Sequence, residues 1–206
     1  MNEINCLTIK KYGDIVQEKI KNIIWIRMKE AKELTDEDKE IYLFGLIQGV
    51  IFLLNTFTAL CIGMILNMLI EVIIYLVCFI PIRIFAGGYH AKTQVRCYIM
   101  STVTTFVALR LIKFLQISNS IFEIVVLIIS IIIIWNLSPS EDNNKPLTKE
   151  EYSIYKIKVR KLISIILGVL IFSFIINNQL ILSSIQAAIF ILSLVIIIGA
   201  IKLKVN

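Results

Sequence analysis

The chain has 206 residues, 58% of them hydrophobic, a mean hydropathy of +0.85 and a formal net charge of +6. A soluble domain is nearer half apolar and interrupts its apolar runs with polar faces. Here the runs approach or exceed the ~18–20 residues that cross a bilayer core, which excludes a soluble enzyme and indicates an integral membrane protein. One histidine, no H-E-x-x-H and no C-x-x-C argue against a metalloprotease, a zinc knuckle and a dithiol redox motif, so no metal or cofactor is expected.

Residues 4–34 alternate apolar and charged positions. Ile15, Val16, Ile20, Ile23, Ile24 and Trp25 can share one helical face, away from Lys19, Lys21, Arg27 and Lys29. The pattern fits an amphipathic helix on the membrane surface, or equally a cytoplasmic helix packed on the rest of the protein. The first forty residues are charged and lack the central apolar block of a cleavable signal peptide. "TDEDKE" (35–40) reads as a helix start. We therefore divide the chain into an interfacial segment, 1–40, and a polytopic membrane domain, 41–206.

Apolar runs follow at about 41–64, 67–85, 98–116, 120–137, 161–177 and 180–203. They predict an all-α integral membrane bundle of about six transmembrane helices plus the N-terminal amphipathic helix. The breaks at Asn67 and at "NNQ" (177–179) are short, as in helical hairpins. Breaks also fall at 86–97, 118–120 and 138–160. Eight lysines and arginines precede residue 41, three lie at 83–96, six at 138–161 and two after 201. With six spans these all fall on one side, which the positive-inside rule makes the cytoplasm, together with both termini. Arg110 and Lys113 are the exceptions. With Glu71 and Glu123 they are expected to form a charge cluster at the outer surface. Gln48 and Asn55 share a face of the first span and suit contacts between helices.

The polar gap "FAGGYHAKTQVRCYIM" (85–100) holds the only histidine, His90, seven residues before Cys97. An imidazole can take the proton of a thiol and stabilise the thiolate. The pair can then attack a carbonyl carbon and protonate a leaving amine, as in cysteine peptidases. In one straight helix, residues i and i+7 stand ~10 Å apart along the axis, too far for a hydrogen bond. Contact therefore requires a bend, and Gly87 and Gly88 disfavour helix where it is needed. His90 is expected on a turn or re-entrant segment, with Cys97 near the start of the third helix. Arg83, Lys92 and Arg96 add positive potential. By spacing alone, His90 as a polar interface residue and Cys97 as a packing residue remain open alternatives. Cys6, Cys61 and Cys78 are read as packing or lipid-facing, with Cys78 the one rival nucleophile.

The stretch "IRIFAGGYHAKTQVRCYI" resembles the signature of the AgrB family of membrane cysteine endopeptidases, which process the precursor of a cyclic quorum-sensing peptide. The matching positions are Arg83, Gly88, His90, Ala91, Cys97 and the aromatic Tyr98. Length, the multi-span pattern, the charged N-terminus and a basic loop with "KPL" (145–147) extend the likeness over most of the chain. Ile84 stands where some members have a second basic residue, and Gly87 where some have a histidine. Neither position belongs to the Cys–His pair.

The resemblance implies that His90 and Cys97 are catalytic. It implies that Cys97 cleaves the C-terminal tail of an AgrD-like precursor through a thioester, and that a thiol or hydroxyl of the peptide then closes a (thio)lactone. Supporting or substrate-binding roles are expected for Arg83, Gly88, Gln94, Arg96 and Lys145. The expected partners are the precursor peptide, the lipid bilayer and a second copy in a homodimer, with no nucleic acid. The expected location is the cell membrane, with the active site at the cytoplasmic face. The competing function is a small peptide transporter or exporter without proteolytic activity. It would need polar residues converging at mid-membrane, and the sequence offers few.

Overall fold

The computed structural model describes residues 36–88, 94–117, 121–140 and 147–205. The proposed amphipathic helix and Cys6 lie outside them. Six helices follow in order: α1 (Asp36–Ile65), α2 (Leu69–Ala86), α3 (Gln94–Ile117), α4 (Ile121–Leu137), α5 (Lys149–Ile175) and α6 (Gln179–Val205). They match the six apolar runs. Four of them, α1, α2, α3 and α6, are long and apolar enough by length and composition to cross a membrane, and α4 contributes a shorter apolar helix, Phe122–Leu137. The protein is a helical membrane bundle. By contacts the chain divides into two units, Met1–Leu54 and Asn55–Asn206. In the first, the described residues form the opening turns of α1. The remainder concerns the second.

The core is organised around α6, which packs against α2, α3, α4 and α5. Small side chains let it do so. Ser183, Ser184, Ala187, Ala188 and Ser193 are all buried on it, and small residues allow helix backbones to approach closely in a bilayer. The serines carry no unmet polarity. Ser183 Oγ donates to Gln179 O at 2.7 Å, Ser184 Oγ to Leu180 O at 2.8 Å and Ser193 Oγ to Phe190 O at 2.7 Å. One apolar cluster joins α2, α3 and α6 through Tyr75, Leu109, Ile112 and Ala187. A second joins α2, α4, α5 and α6 through Ile82, Ile134, Val159 and Leu192. The exterior is apolar as well: Val77, Phe114, Ile129, Phe172 and Ile198 are exposed, a surface suited to lipid rather than water.

α5 begins twelve residues before its apolar run, inside the stretch read from sequence as a break. The cause is a capping box. Thr148 Oγ1 accepts from Glu151 N at 3.2 Å, and Glu151 Oε2 accepts from Thr148 N at 3.0 Å. The T-x-x-E spacing that does this was legible in the sequence.

Two of the side chains expected in the outer charge cluster make contacts of their own. Glu71 Oε1 accepts from Gln116 Nε2 at 3.4 Å, and the Arg110 guanidinium lies over the Phe106 ring at 5.3 Å. Asn55 Oδ1 is buried without a hydrogen-bond partner among the described residues.

Candidate active site

The site is built from the end of α2 and the start of α3. α2 carries Arg83 in its last turn and stops at Ala86. Gly87 has φ 70 and ψ −144, and Gly88 has φ 112, conformations that residues with a Cβ rarely adopt. The turn is held from several directions. Ser140 N donates to Ala86 O at 2.8 Å, which makes a one-residue parallel bridge between Gly87 and Ser140. Arg83 Nη1 donates to Gly87 O, so the guanidinium caps the carbonyl end of its own helix, where a positive charge is favoured. A Cβ on Gly88 would lie 3.1 Å from Val195 O and 3.2 Å from Arg83 Nη1, so α6 and Arg83 close over that glycine.

α3 then starts at Gln94, six Cα steps from Gly88, a separation of at most ~22 Å. Cys97 falls in its first turn as a half-buried free thiol. Gln94, half-buried, and Arg96, exposed, share that turn. Tyr98, the next residue, bonds through its hydroxyl to Thr58 Oγ1 of α1 at 2.8 Å. The first turn of α3 is thus tied to a second helix one residue from the sulfur.

Of the seven candidate residues, Arg83, Gly88, Gln94, Arg96 and Cys97 fall around this junction. His90 and Lys145 lie outside the described residues. The rival thiol, Cys78, packs on both apolar clusters of the core, which accounts for it as a packing residue.

Sequence reasoning missed three contributors. Ser140 and Val195 clamp the glycines, yet one lies in a polar stretch and the other in an unbroken apolar run. Neither position stands out there. The third is an aromatic and basic pile beside the turn. Phe85 meets Tyr155 edge-on at 5.7 Å, and Lys158 Nζ sits 4.7 Å from the Phe85 ring centre. The helical start of α5 puts these residues there, and its capping box was the available signal.

The family model for accessory gene regulator B, AgrB, matches residues 20–199. The chain belongs to the AgrB family. AgrB-like protein 1 of Clostridium perfringens (strain 13 / Type A) is 36% identical over 143 residues, covering 66% of this chain and 71% of that protein. AgrB-like protein 2 of the same strain is 25% identical over 140 residues, and an AgrB-like protein of strain SM101 / Type A is 26% identical over 143 residues. Each of these two matches covers 65% of the relative, just under two thirds of its length. No solved structure matches the chain. Membership of the AgrB family implies a part in the processing of agr quorum-sensing peptides.

Proposed function

We propose that this chain is a membrane-embedded cysteine endopeptidase that removes the C-terminal tail of an AgrD-like precursor and promotes closure of a (thio)lactone ring. The observation that carries the proposal is the position of Cys97. In a chain of the AgrB family it falls in the first turn of a helix, nine residues after Gly88, the second residue of a glycine turn. His90 stands two residues past Gly88 and seven before Cys97 in the sequence.

The chemistry balances as an acyl transfer. His90 takes the Cys97 proton, and sulfur attacks a backbone carbonyl of the precursor. The peptide C–N bond breaks, and the imidazolium protonates the departing amine. A thiol or hydroxyl within the retained peptide then attacks the thioester, the bond to Cys97 breaks, and the cysteine regains its proton. Thioester exchange to a thiol is close to energy-neutral, so ring closure proceeds if water is kept out. We propose the Cys97 backbone N–H and a side chain such as Gln94 or Arg96 as oxyanion donors. Arg83 holds the turn, and Lys145 with the basic start of α5 draws an acidic peptide tail. The enzyme works in the cell membrane with both termini and the site on the cytoplasmic side, as a homodimer.

Co-expression with a precursor peptide followed by mass spectrometry tests this. The expected products are a released tail and a peptide linked to the enzyme. Cys97→Ala and His90→Ala abolish both, and Cys78→Ser leaves both. A tail still released by Cys97→Ala would reject the assignment.

A further inference from the structure

Arg160 and Lys161 occupy an outward-facing stripe of α5 that the proposed peptidase chemistry does not use. With Ile157, Ser164 and Ile165 they line an open groove of about 450 Å³. The spacing is i, i+3, i+4, i+7, i+8, one face of a helix. It is not the core face, which is marked by buried Val159 and Ile163.

Two observations set this groove apart from a solvated basic patch. The first is that its cations have no counter-charge among the described residues. The Arg160 guanidinium lies over the Trp135 ring at 4.9 Å, and its Nε is buried without a hydrogen-bond partner. The described acids of α4 and α5 are Glu123, Glu150 and Glu151. Glu123 is in the first turn of α4, at the far end of the bundle. Glu151 is engaged in the capping box, and Glu150 and Glu151 stand ~15 and ~13 Å back along the axis from Arg160. The second observation is depth. Arg160 and Lys161 stand where the polar start of α5 gives way to its apolar run, and Trp135 stands two residues from the end of α4. Tryptophan, arginine and lysine at that level mark the boundary between headgroups and acyl chains.

We propose that this groove seats the phosphate of an anionic phospholipid, with the acyl chain running along Ile157 and Ile165. The stacked guanidinium keeps a fixed plane and loses little freedom when it meets an oxyanion. Lys161, exposed and one residue on, supplies a second charge. An isolated basic residue near a membrane surface draws anionic lipid modestly, and two at one phosphate favour it over a zwitterionic headgroup by roughly tenfold or more.

The test uses the full chain reconstituted in vesicles of equimolar phosphatidylcholine and phosphatidylglycerol, with native mass spectrometry of the lipids carried out of the bilayer. Wild type is expected to retain phosphatidylglycerol over phosphatidylcholine. Arg160→Gln/Lys161→Gln is expected to lose that preference. Lys161→Gln alone, at an exposed side chain that cannot upset folding, reduces it several-fold. Lys149→Gln, which removes the same charge ~16 Å away along α5, leaves it unchanged. The proposal is overturned if wild type shows no preference, or if the double variant keeps it. It is also overturned if Lys149→Gln loses it equally. Displacement of the lipid by an acidic peptide would make this a peptide site. A change in the monomer–dimer ratio of the double variant with its lipids unchanged would make it a contact between copies.

Discussion

Asn67 and Asn177 reverse the chain at one end of the bundle, and Gly87 with Gly88 reverses it at the other. Both asparagines sit in the left-handed region, at φ 53 and 54. Met68 N donates back to Gly63 O at 2.8 Å, and Asn178 N to Ser173 O at 3.0 Å. These are the same six-to-one closure, onto the carbonyl of a small residue five positions back in each case, and each turn closes its backbone bonds within its own hairpin. Among the described residues the glycine turn has no such backbone closure. Its bonds run to Arg83 and to Ser140, and its packing is against Val195. A turn that only joins helices satisfies itself. The turn that leads to His90 and Cys97 is capped by Arg83 of its own helix and defined otherwise by two other parts of the fold, Ser140 and Val195 of α6. Its conformation can therefore be exact without being helical, and it depends on the whole bundle.

That contrast is broken most severely at Gly87. Any Cβ there has to adopt a conformation that costs ~1–3 kcal/mol for other residues, before the collision with the Ser140 carbonyl oxygen is added. Gly87→Ala is expected to abolish tail cleavage. Its unfolding midpoint in detergent should also fall further than that of any turn variant at the asparagine end. Cleavage at the wild-type rate by Gly87→Ala would mean that the long-range clamp is incidental.

Tyr98 offers a gentler cut. Its hydroxyl and Thr58 Oγ1 hold the first turn of α3 against α1. Losing a hydrogen bond of this kind costs about 0.5–1.5 kcal/mol. Tyr98→Phe is expected to slow acylation of Cys97 a few-fold with little change in the precursor concentration that gives half-maximal rate. Alkylation of Cys97 by a small maleimide, which needs no substrate, should slow in parallel if the tether sets the sulfur's position. A change in half-saturation alone would place the tyrosine in substrate binding.

The two ends also differ in how far the sequence discloses them. Hydrophobic runs located all six helices, because a membrane span has to be long and apolar whatever its function. The asparagine hairpins were visible as short breaks for the same reason. The residues Gly88 and Cys97 were legible through spacing and family likeness. Ser140 and Val195 were not, because what they supply is a backbone N–H and a close approach, and neither requires a distinctive side chain. Arg83 shows the limit from the other side. It stood out as a motif residue, and the structure gives it a local task, capping Gly87, that spacing alone did not suggest. The start of α5 was misplaced because apolar periodicity outweighed a capping signal only four residues long.

The smallest effect sharpens the comparison most, because it tests the self-contained turns on their own terms. In an αL position an L side chain costs about 1–2 kcal/mol, which asparagine tolerates and glycine avoids. Asn67→Ala and Asn177→Ala are therefore each expected to destabilise by about 1 kcal/mol. Asn67→Gly should be neutral or slightly stabilising, since no backbone bond of the turn uses the side chain. Asn177→Gly should behave alike, because the N-cap of α6 is supplied by Asn178, whose Oδ1 accepts from Ile181 N at 3.2 Å. None of the four should change tail cleavage per folded molecule. Thermal unfolding in detergent, paired with the cleavage assay, reads both quantities. If an asparagine-turn variant of near-wild-type stability lost cleavage, the two ends would be mechanically coupled through α2 or α6. The division between a self-satisfied end and a dependent one would then fail.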